Sequence, residues 1–387
     1  MFQIKTLNKI SPAGLDQFSR DKYTCGDEIE NPDAILVRSA SMHEMEFPKS
    51  LKAIARAGAG VNNIPCDKCA EQGIVVFNTP GANANAVKEL VLLGLLISSR
   101  KIAPALDWMK TLKGKGDEVS KLVEKGKSQF VGPEISGKKL GVIGLGAIGV
   151  LVANAASHLG MTVYGYDPYL SVNAAWDLSH NVKHATSLKE IFESCDYITV
   201  HVPATPETKG MINSESIATM KTGVRILNFA RGDLAVPADV LKALEEGKLS
   251  AYVTDFATDD MIGAPGVVAL PHLGASTPES EDNCAFMAAQ EVIDFLENGN
   301  IKNSVNMPAA SMPRATQNRL CIIHKNMPSM VSQITTAMSD NGVNIESMIN
   351  QSKKDYAYTM LDVSAPVSQE AIDKLNAADG IIRVWSL

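Results

Sequence analysis

Three glycines, Gly144, Gly146 and Gly149, follow directly on the apolar run LGVI at 140–143, and eighteen residues beyond Gly149 the segment TVYGYD ends on Asp167. Few folds accept that spacing. A strand must feed a tight turn, the turn must open a helix, here ANAASHLG, and a second strand must return to end on a carboxylate. Gly144 permits the turn, Gly146 lets main-chain amides approach a pyrophosphate, and Gly149 lets helix and strand pack closely. The helix N-terminus, with Ala147 and Ile148 in its first turn, adds partial positive charge. Asp167 is then placed to accept from ribose hydroxyls. A 2′-phosphate would face that anion with a repulsion of roughly 1 to 4 kcal/mol at contact distance. Pro168 and Tyr169 stand where an arginine would be needed, so the spacing predicts a dinucleotide site that prefers NAD to NADP.

At 387 residues and 45% hydrophobic content the chain can bury two or three domain cores. A formal charge of −7 argues against a broad nucleic-acid or anionic-membrane surface, and no apolar run approaches the length of a membrane span. The start, MFQIKTLNKI, lacks a charged-then-apolar signal segment, and six scattered cysteines point to free thiols in a reducing cytosol, so a cytoplasmic protein is expected. Cys66 and Cys69 form a C-x-x-C with no second pair, and DKCAEQG reads as a helix; no metal site is expected.

The first hundred residues alternate apolar strands with polar stretches: IKTL, AILVRS at 34–39, LKAIARAG at 51–58 and GIVVFNTP at 73–80. The last three end in residues suited to binding, which predicts a small parallel sheet with one functional edge. A long helix is expected over 87–112. A second series follows, with strands near 140–144, 162–166, 197–202, 224–229, 250–255 and 267–270, the pattern of a doubly wound sheet. Residues 278–298 read as a helix with Ala285, Ala288, Val292 and Phe295 or Leu296 on one face, long enough to return to the first unit. After a Pro-, Ala- and Ser-rich connector at 304–318, residues 319–387 read β-α-β-β-α-β, a compact α+β motif.

Taken together, VRSA, RAGAGVNNIP, VFNTPGANANAVKEL, GVIGLGAIG, VHVPATPETKGMI, LNFARGDL and LPHLGAST resemble the D-isomer-specific 2-hydroxyacid dehydrogenases over nearly the whole chain. The most specific parts are ARG at 230–232 and HLGAST at 272–277. The resemblance implies a Rossmann-like NAD domain, 99–276, inserted in a flavodoxin-like substrate domain made of 1–98 and 277–307, with catalysis in the cleft. A linker at 308–318 then leads to a ferredoxin-like ACT regulatory domain at 319–387. The arginine-bearing segments and this C-terminal unit point, within the family, to NAD-dependent oxidation of 3-phosphoglycerate, the entry step of serine synthesis. A homodimer or homotetramer is implied. Rival readings are another member of the family, such as a hydroxypyruvate or glycerate reductase, and a non-enzymatic NAD(H)-sensing regulator on the same scaffold.

Oxidising a 2-hydroxy acid needs a base for the hydroxyl proton, a cation on the carboxylate and a nicotinamide face within reach. Arg231, after the strand RILNFA, suits the carboxylate through its two-pronged fork, and His272, after the last nucleotide-sheet strand, suits proton exchange near neutral pH. Family members carry a glutamate in D-V-F-x-x-E-P that orients the histidine. This chain reads TDFATDDM, so an aspartate stands in: Asp260 when counted from Arg231, Asp259 when the phenylalanine is aligned. Further cofactor contacts are implied for Val202, Pro203, Phe229, Ala230, Arg231, Asp255, His272, Leu273, Gly274 and Ala275, with Asp255 accepting from the nicotinamide carboxamide. Arg38 with Ser39, and Arg56 with the amides of Gly58, Ala59 and Gly60, could meet a phosphate. By the same resemblance His324, Asn326 and Asn344 would bind an amino-acid effector, L-serine. Ser329 departs from the family there, replacing a glycine at the helix start.

Overall fold

The computed structural model describes residues 1–387. Five short strands, β1 (Phe2–Leu7), β2 (Tyr23–Gly26), β3 (Ala34–Val37), β4 (Ala53–Arg56) and β5 (Val75–Asn78), pair in parallel in the order β2-β1-β3-β4-β5. β3, β4 and β5 are buried on both faces, which explains their continuous apolar runs. This is the flavodoxin-like order.

A second parallel sheet has seven strands: β6 (Lys139–Ile143), β7 (Thr162–Tyr166), β8 (Lys183–His184), β9 (Tyr197–Val200), β10 (Val224–Asn228), β11 (Leu249–Thr254) and β12 (Val267–Ala269). Their order, β12-β11-β10-β9-β6-β7-β8, reverses direction beside β6, the doubly wound arrangement in which ligands bind at the carboxyl ends of the strands near the reversal.

The third sheet is antiparallel. Its strands β13 (Asn318–Lys325), β14 (Ile345–Lys353), β15 (Tyr356–Val363) and β16 (Ile381–Ser386) lie in the order β14-β15-β13-β16. Helices Met330–Asp340 and Gln369–Asn376 complete the β-α-β-β-α-β string and cover one face through Ile334, Met338, Ile372 and Leu375.

By contact density the chain forms two units, 1–83 with 278–387, and 84–277. Helix Ala84–Arg100 falls in the second unit, where Val87, Val91 and Leu95 share a core with β6, β10 and β11. The continuous helix expected over 87–112 is broken: Lys101 adopts a left-handed φ of 48°, and a separate helix, Ile102–Lys110, follows. The short strands β2 and β8 were not anticipated. Within β2 only Tyr23 is buried, and β8 has two exposed residues, so neither leaves an apolar signature.

In the first unit, helix Pro278–Asn298 packs Ala285, Ala288, Ala289, Val292, Phe295 and Leu296 onto the five-stranded sheet. The second face of the antiparallel sheet joins the same core through Cys321, Ile323, Tyr358, Met360 and Trp385. Phe295 meets both Phe77 and Trp385 edge-on at 5.6 Å between ring centroids. The segment 308–318 is tied down as well: Ala310 pairs with Ile301, and the Ala315 amide donates to Asp362. Beneath it, Arg319 and Asp362 form a two-pronged ion pair at 2.6 and 2.9 Å with both side chains fully buried.

Candidate active site

Every sequence-derived cofactor residue of the second unit lies at the carboxyl edge of its sheet. Gly144 leaves β6 with a left-handed φ of 89°, and a Cβ there would stand 2.7 Å from the His201 carbonyl. A Cβ on Gly149 would collide with the Gly144 carbonyl, so the helix Ala147–His158 lies against the turn only because Gly149 has no side chain. Gly146 differs: nothing lies within 4 Å of its notional Cβ, and with Ala147 it is exposed. The three glycines therefore divide the work, two for close packing and one for an open approach to the helix start.

Asp167 follows β7. Its Oδ2 accepts from the Leu145 amide at 2.8 Å and its Oδ1 from the Tyr169 amide at 2.8 Å, which pins the carboxylate beside the glycine turn. A carboxylate has about four acceptor sites, so two bonds leave capacity for hydroxyl donors. Val202 touches the Gly144 position, and Pro203 receives the Thr208 hydroxyl on its carbonyl. His201, the residue before them, is partly buried, with Nε2 3.0 Å from Thr199 Oγ1 and a buried Nδ1 without a partner; desolvation pushes its pKa down to about 4.

Register brings the candidate reaction residues to one level. Asn228 of β10 stands beside Thr254 of β11, which stands beside Ala269 of β12, so the segments carrying Arg231, Asp255 and His272 leave the sheet together. Asn228, which the sequence reading passed over, shapes the first of these turns. Its buried amide donates to the Arg231 carbonyl at 2.9 Å and accepts from the Ala230 amide at 3.2 Å, beside the buried Phe229. Arg231 itself is exposed and spends one guanidinium hydrogen bond on the Ala230 carbonyl. His272 is exposed too, its ring 4.7 Å from that of Phe256.

Asp255 is 4% exposed, and its carboxylate oxygens meet no donor but the backbone amides of Gly274 and of Asp255 itself, neither at full hydrogen-bond geometry. Burial raises its pKa, opposed by the charges of His272 and Arg231 and by the Gly274 backbone. A buried acceptor pair left open at a sheet edge invites a donor from outside the chain. Leu273 is exposed and Gly274 buried against Asp255, with Ala275 next, so the turn after His272 borders the same group. Asp259 and Asp260 lie in an exposed 3-10 turn, where Thr258 donates to Asp260; neither is hydrogen bonded to His272.

In the first unit, Arg38 and Arg56 emerge from neighbouring strands, Val37 pairing with Arg56. The Arg56 Nε donates to the Arg38 carbonyl at 3.1 Å, and its guanidinium covers Gly58, where a Cβ would sit 2.5 Å from Nη1. Arg38 Nη2 is 2.5 Å from Glu281 Oε1. Ser39 is exposed, and its amide donates to the Asn8 side chain, as does that of Ala40. In the third sheet Asn326 donates to the Lys354 carbonyl and Asn344 to Glu346, both from exposed positions, whereas His324 is 2% exposed with both ring nitrogens engaged, by the Lys325 carbonyl and by Thr359.

This fold and edge define an NAD(P)-type α/β dehydrogenase scaffold, and the comparisons narrow it. Residues 93–274 match the family model "D-isomer specific 2-hydroxyacid dehydrogenase, NAD binding domain". The D-3-phosphoglycerate dehydrogenase of Haemophilus influenzae is 30% identical over 399 residues, covering 98% of this chain and 93% of that one. The chain belongs to the D-isomer specific 2-hydroxyacid dehydrogenases. The enzyme of the same name from Bacillus subtilis is 35% identical over 327 residues, but this chain spans only 60% of its length. Among solved structures, NAD+-bound 3-phosphoglycerate dehydrogenase of Entamoeba histolytica aligns with a TM-score of 0.60 at 27% identity, over 79% of this chain and 98% of that one.

Proposed function

We propose that the chain oxidises 3-phospho-D-glycerate to 3-phosphohydroxypyruvate with NAD. The observation that carries the reading is the common level of Arg231, Asp255 and His272 at the sheet edge, in a chain that matches a phosphoglycerate dehydrogenase along 93% of that relative.

The residues present fit NAD. Gly146 leaves the helix start open, Asp167 offers carboxylate oxygens where ribose hydroxyls would come, and the unmatched oxygens of Asp255 suit the two amide hydrogens of a carboxamide. When bound, the cofactor supplies the hydride acceptor. Arg231 holds the substrate carboxylate with the donors its Ala230 bond leaves over, which orients the carbinol hydrogen. His272, exposed at the sheet edge, takes the hydroxyl proton as the C2 hydrogen departs with its electron pair and the C–O bond becomes a carbonyl. Asp260 or Asp259 assists that histidine in this reading. Phe256 holds the other side of its ring.

Arg38, Arg56 and the loop at 58–60 bind the phosphate. Two features extend the proposal. The outer positions Leu93, Leu96, Leu106 and Met109 are 44 to 58% exposed in the single chain, which supports assembly into a homodimer or homotetramer. The β-α-β-β-α-β unit is assigned as an ACT domain that binds L-serine near Asn326 and Asn344, with His324 as the third residue. No helix is long and apolar enough to cross a membrane.

Steady-state turnover with 3-phosphoglycerate, glycerate and lactate tests the reading. Wild type is expected to use the phosphorylated acid best, and Arg38→Ala or Arg56→Ala to impair phosphoglycerate far more than glycerate. Equal losses on both acids would assign the arginines a structural role and move the substrate to an unphosphorylated acid.

A further inference from the structure

Helix Pro278–Asn298 buries one acid, Glu291, in a face made mostly of apolar residues. Glu291 is 7% exposed, on a stripe with Ala285, Ala288, Val292 and Phe295. A hydrophobic side chain would fill that position at lower cost, because a carboxyl taken out of water loses solvation that only good partners return. Burial raises the Glu291 pKa to about 7, opposed by the hydrogen bond from Asn303 and the charge of Lys302. The group therefore weakens the fold unless its polar contact has a use.

That contact leads to one place. Asn303 Nδ2 donates to Glu291 Oε1 at 2.6 Å, while Oε2 has no partner. The Asn303 carbonyl accepts from the main-chain amide of Asn78, the last residue of β5, at 3.3 Å. The Asn78 side chain in turn donates to the Ala59 carbonyl at 2.6 Å, and the next amide, Thr79, donates to the Gly58 carbonyl at 3.1 Å. Ala59 and Gly58 form the loop that the Arg56 guanidinium covers. The residues after Asn303 are fixed separately, since Val305 donates to Val76 and Asn306 brackets β5 through the Val76 amide and the Ile74 carbonyl. Glu291 thus holds the Asn303 side chain, on the residue whose carbonyl meets the end of β5.

We propose that Glu291 is a positioning residue for the phosphate loop: its carboxyl orients Asn303, Asn303 fixes the end of β5, and Asn78 holds Ala59 so that Arg56 and the amides of Ala59 and Gly60 converge on one anion, the Gly58 amide being spent on the Arg56 carbonyl at 2.8 Å. The inference rests on the reading of that loop as the phosphate site. Glu291 touches neither substrate nor cofactor in this account, so its loss falls on substrate affinity and not on the chemical step.

The test compares Glu291→Ala, which removes the acceptor, with Glu291→Gln, which keeps an oxygen for Asn303, and adds Asn303→Ala as an independent break in the chain. Glu291→Ala and Asn303→Ala are expected to raise KM for 3-phosphoglycerate about tenfold, the scale of one net hydrogen bond, with kcat within about twofold of wild type and KM for NAD unchanged. Glu291→Gln is expected to restore wild-type KM. Amide hydrogen exchange at 57–60 in the free enzyme is expected to accelerate in the two Ala variants and not in Glu291→Gln. Unchanged KM and unchanged exchange in both Ala variants would overturn the proposal, as would parallel losses in kcat and in NAD affinity. If wild type fails to use phosphoglycerate while exchange at 57–60 still responds, the positioning stands and the substrate assignment falls.

Discussion

Arg38 Nη2 and Glu281 Oε1 are 2.5 Å apart, and both side chains are 43% exposed. The arginine assigned to substrate phosphate is therefore already paired with a carboxylate of its own unit. Exposed pairs contribute only about 0 to 1 kcal/mol, so an incoming phosphate with two charges and several acceptor oxygens can displace Glu281. Glu281→Ala should lower KM for 3-phosphoglycerate about two- to fivefold, within that energy range, and leave KM for glycerate unchanged. An equal change on both acids would mean that Arg38 does not meet the phosphate.

Loss of the base at the sheet edge should be selective. His272→Asn is expected to leave NADH binding near wild type while turnover falls at least about a hundredfold, the usual scale for a general base. Asp259→Asn and Asp260→Asn separate the two candidate assistants, because the true partner alone shifts the pH dependence of turnover. Identical pH profiles in both variants would show that His272 works without either.

Asp255 should show stability and binding moving in opposite directions. Its folded-state pKa is raised by burial, so above its unfolded value the charged carboxylate weakens the free protein, and the penalty disappears as pH falls below that value. Asp255→Asn removes the charge, and the melting temperature of the free protein at pH 7 should rise. NADH affinity, followed by fluorescence titration, should weaken about tenfold, since an amide offers one acceptor where the carboxylate offered two. A melting temperature lowered in parallel with affinity would give the residue an ordinary structural role.

His201 gives the fold a defined acid weakness. With a folded-state pKa near 4, the ring stays neutral while the unfolded chain begins to take up a proton near pH 6.5, so stability falls between those limits as pH is lowered. Each pH unit in the window costs about 1.4 kcal/mol, or about 2 kcal/mol by pH 5. Urea unfolding of wild type and His201→Asn at pH 7.5 and pH 5 measures this. The variant should lose less on acidification, and equal losses would place the acid sensitivity elsewhere.

The sheets, the glycine turn and the sheet-edge positions of Arg231, Asp255 and His272 were legible because their signals are local. A strand, a turn that only glycine permits and an acid at a fixed spacing occupy consecutive residues, as 140–167 do. What stayed hidden depends on partners distant in sequence. Nothing near Asn228 shows that its amide shapes the turn at Arg231, and nothing near Glu291 connects it to Ala59. Lys101 carries no glycine to mark its left-handed turn, so the helix break there was invisible. LCIIH in β13 is apolar on consecutive residues, the local mark of a strand buried on both faces, which needs cover on both.

That double cover makes the C-terminal unit a poor module. A domain joined by a tether can be lost, exchanged or duplicated between genes without harm to its host. Here the second face of the sheet is the wall of its neighbour's interior: removing 319–387 would strip Phe295 of its Trp385 contact, and the Gly299 carbonyl of the Tyr358 hydroxyl that bonds it at 2.7 Å. Any strain set up in this unit would reach its neighbour as pressure through shared packing and not as a swing on a hinge, along the strap that Lys353 grips at the carbonyls of Ser304 and Val305.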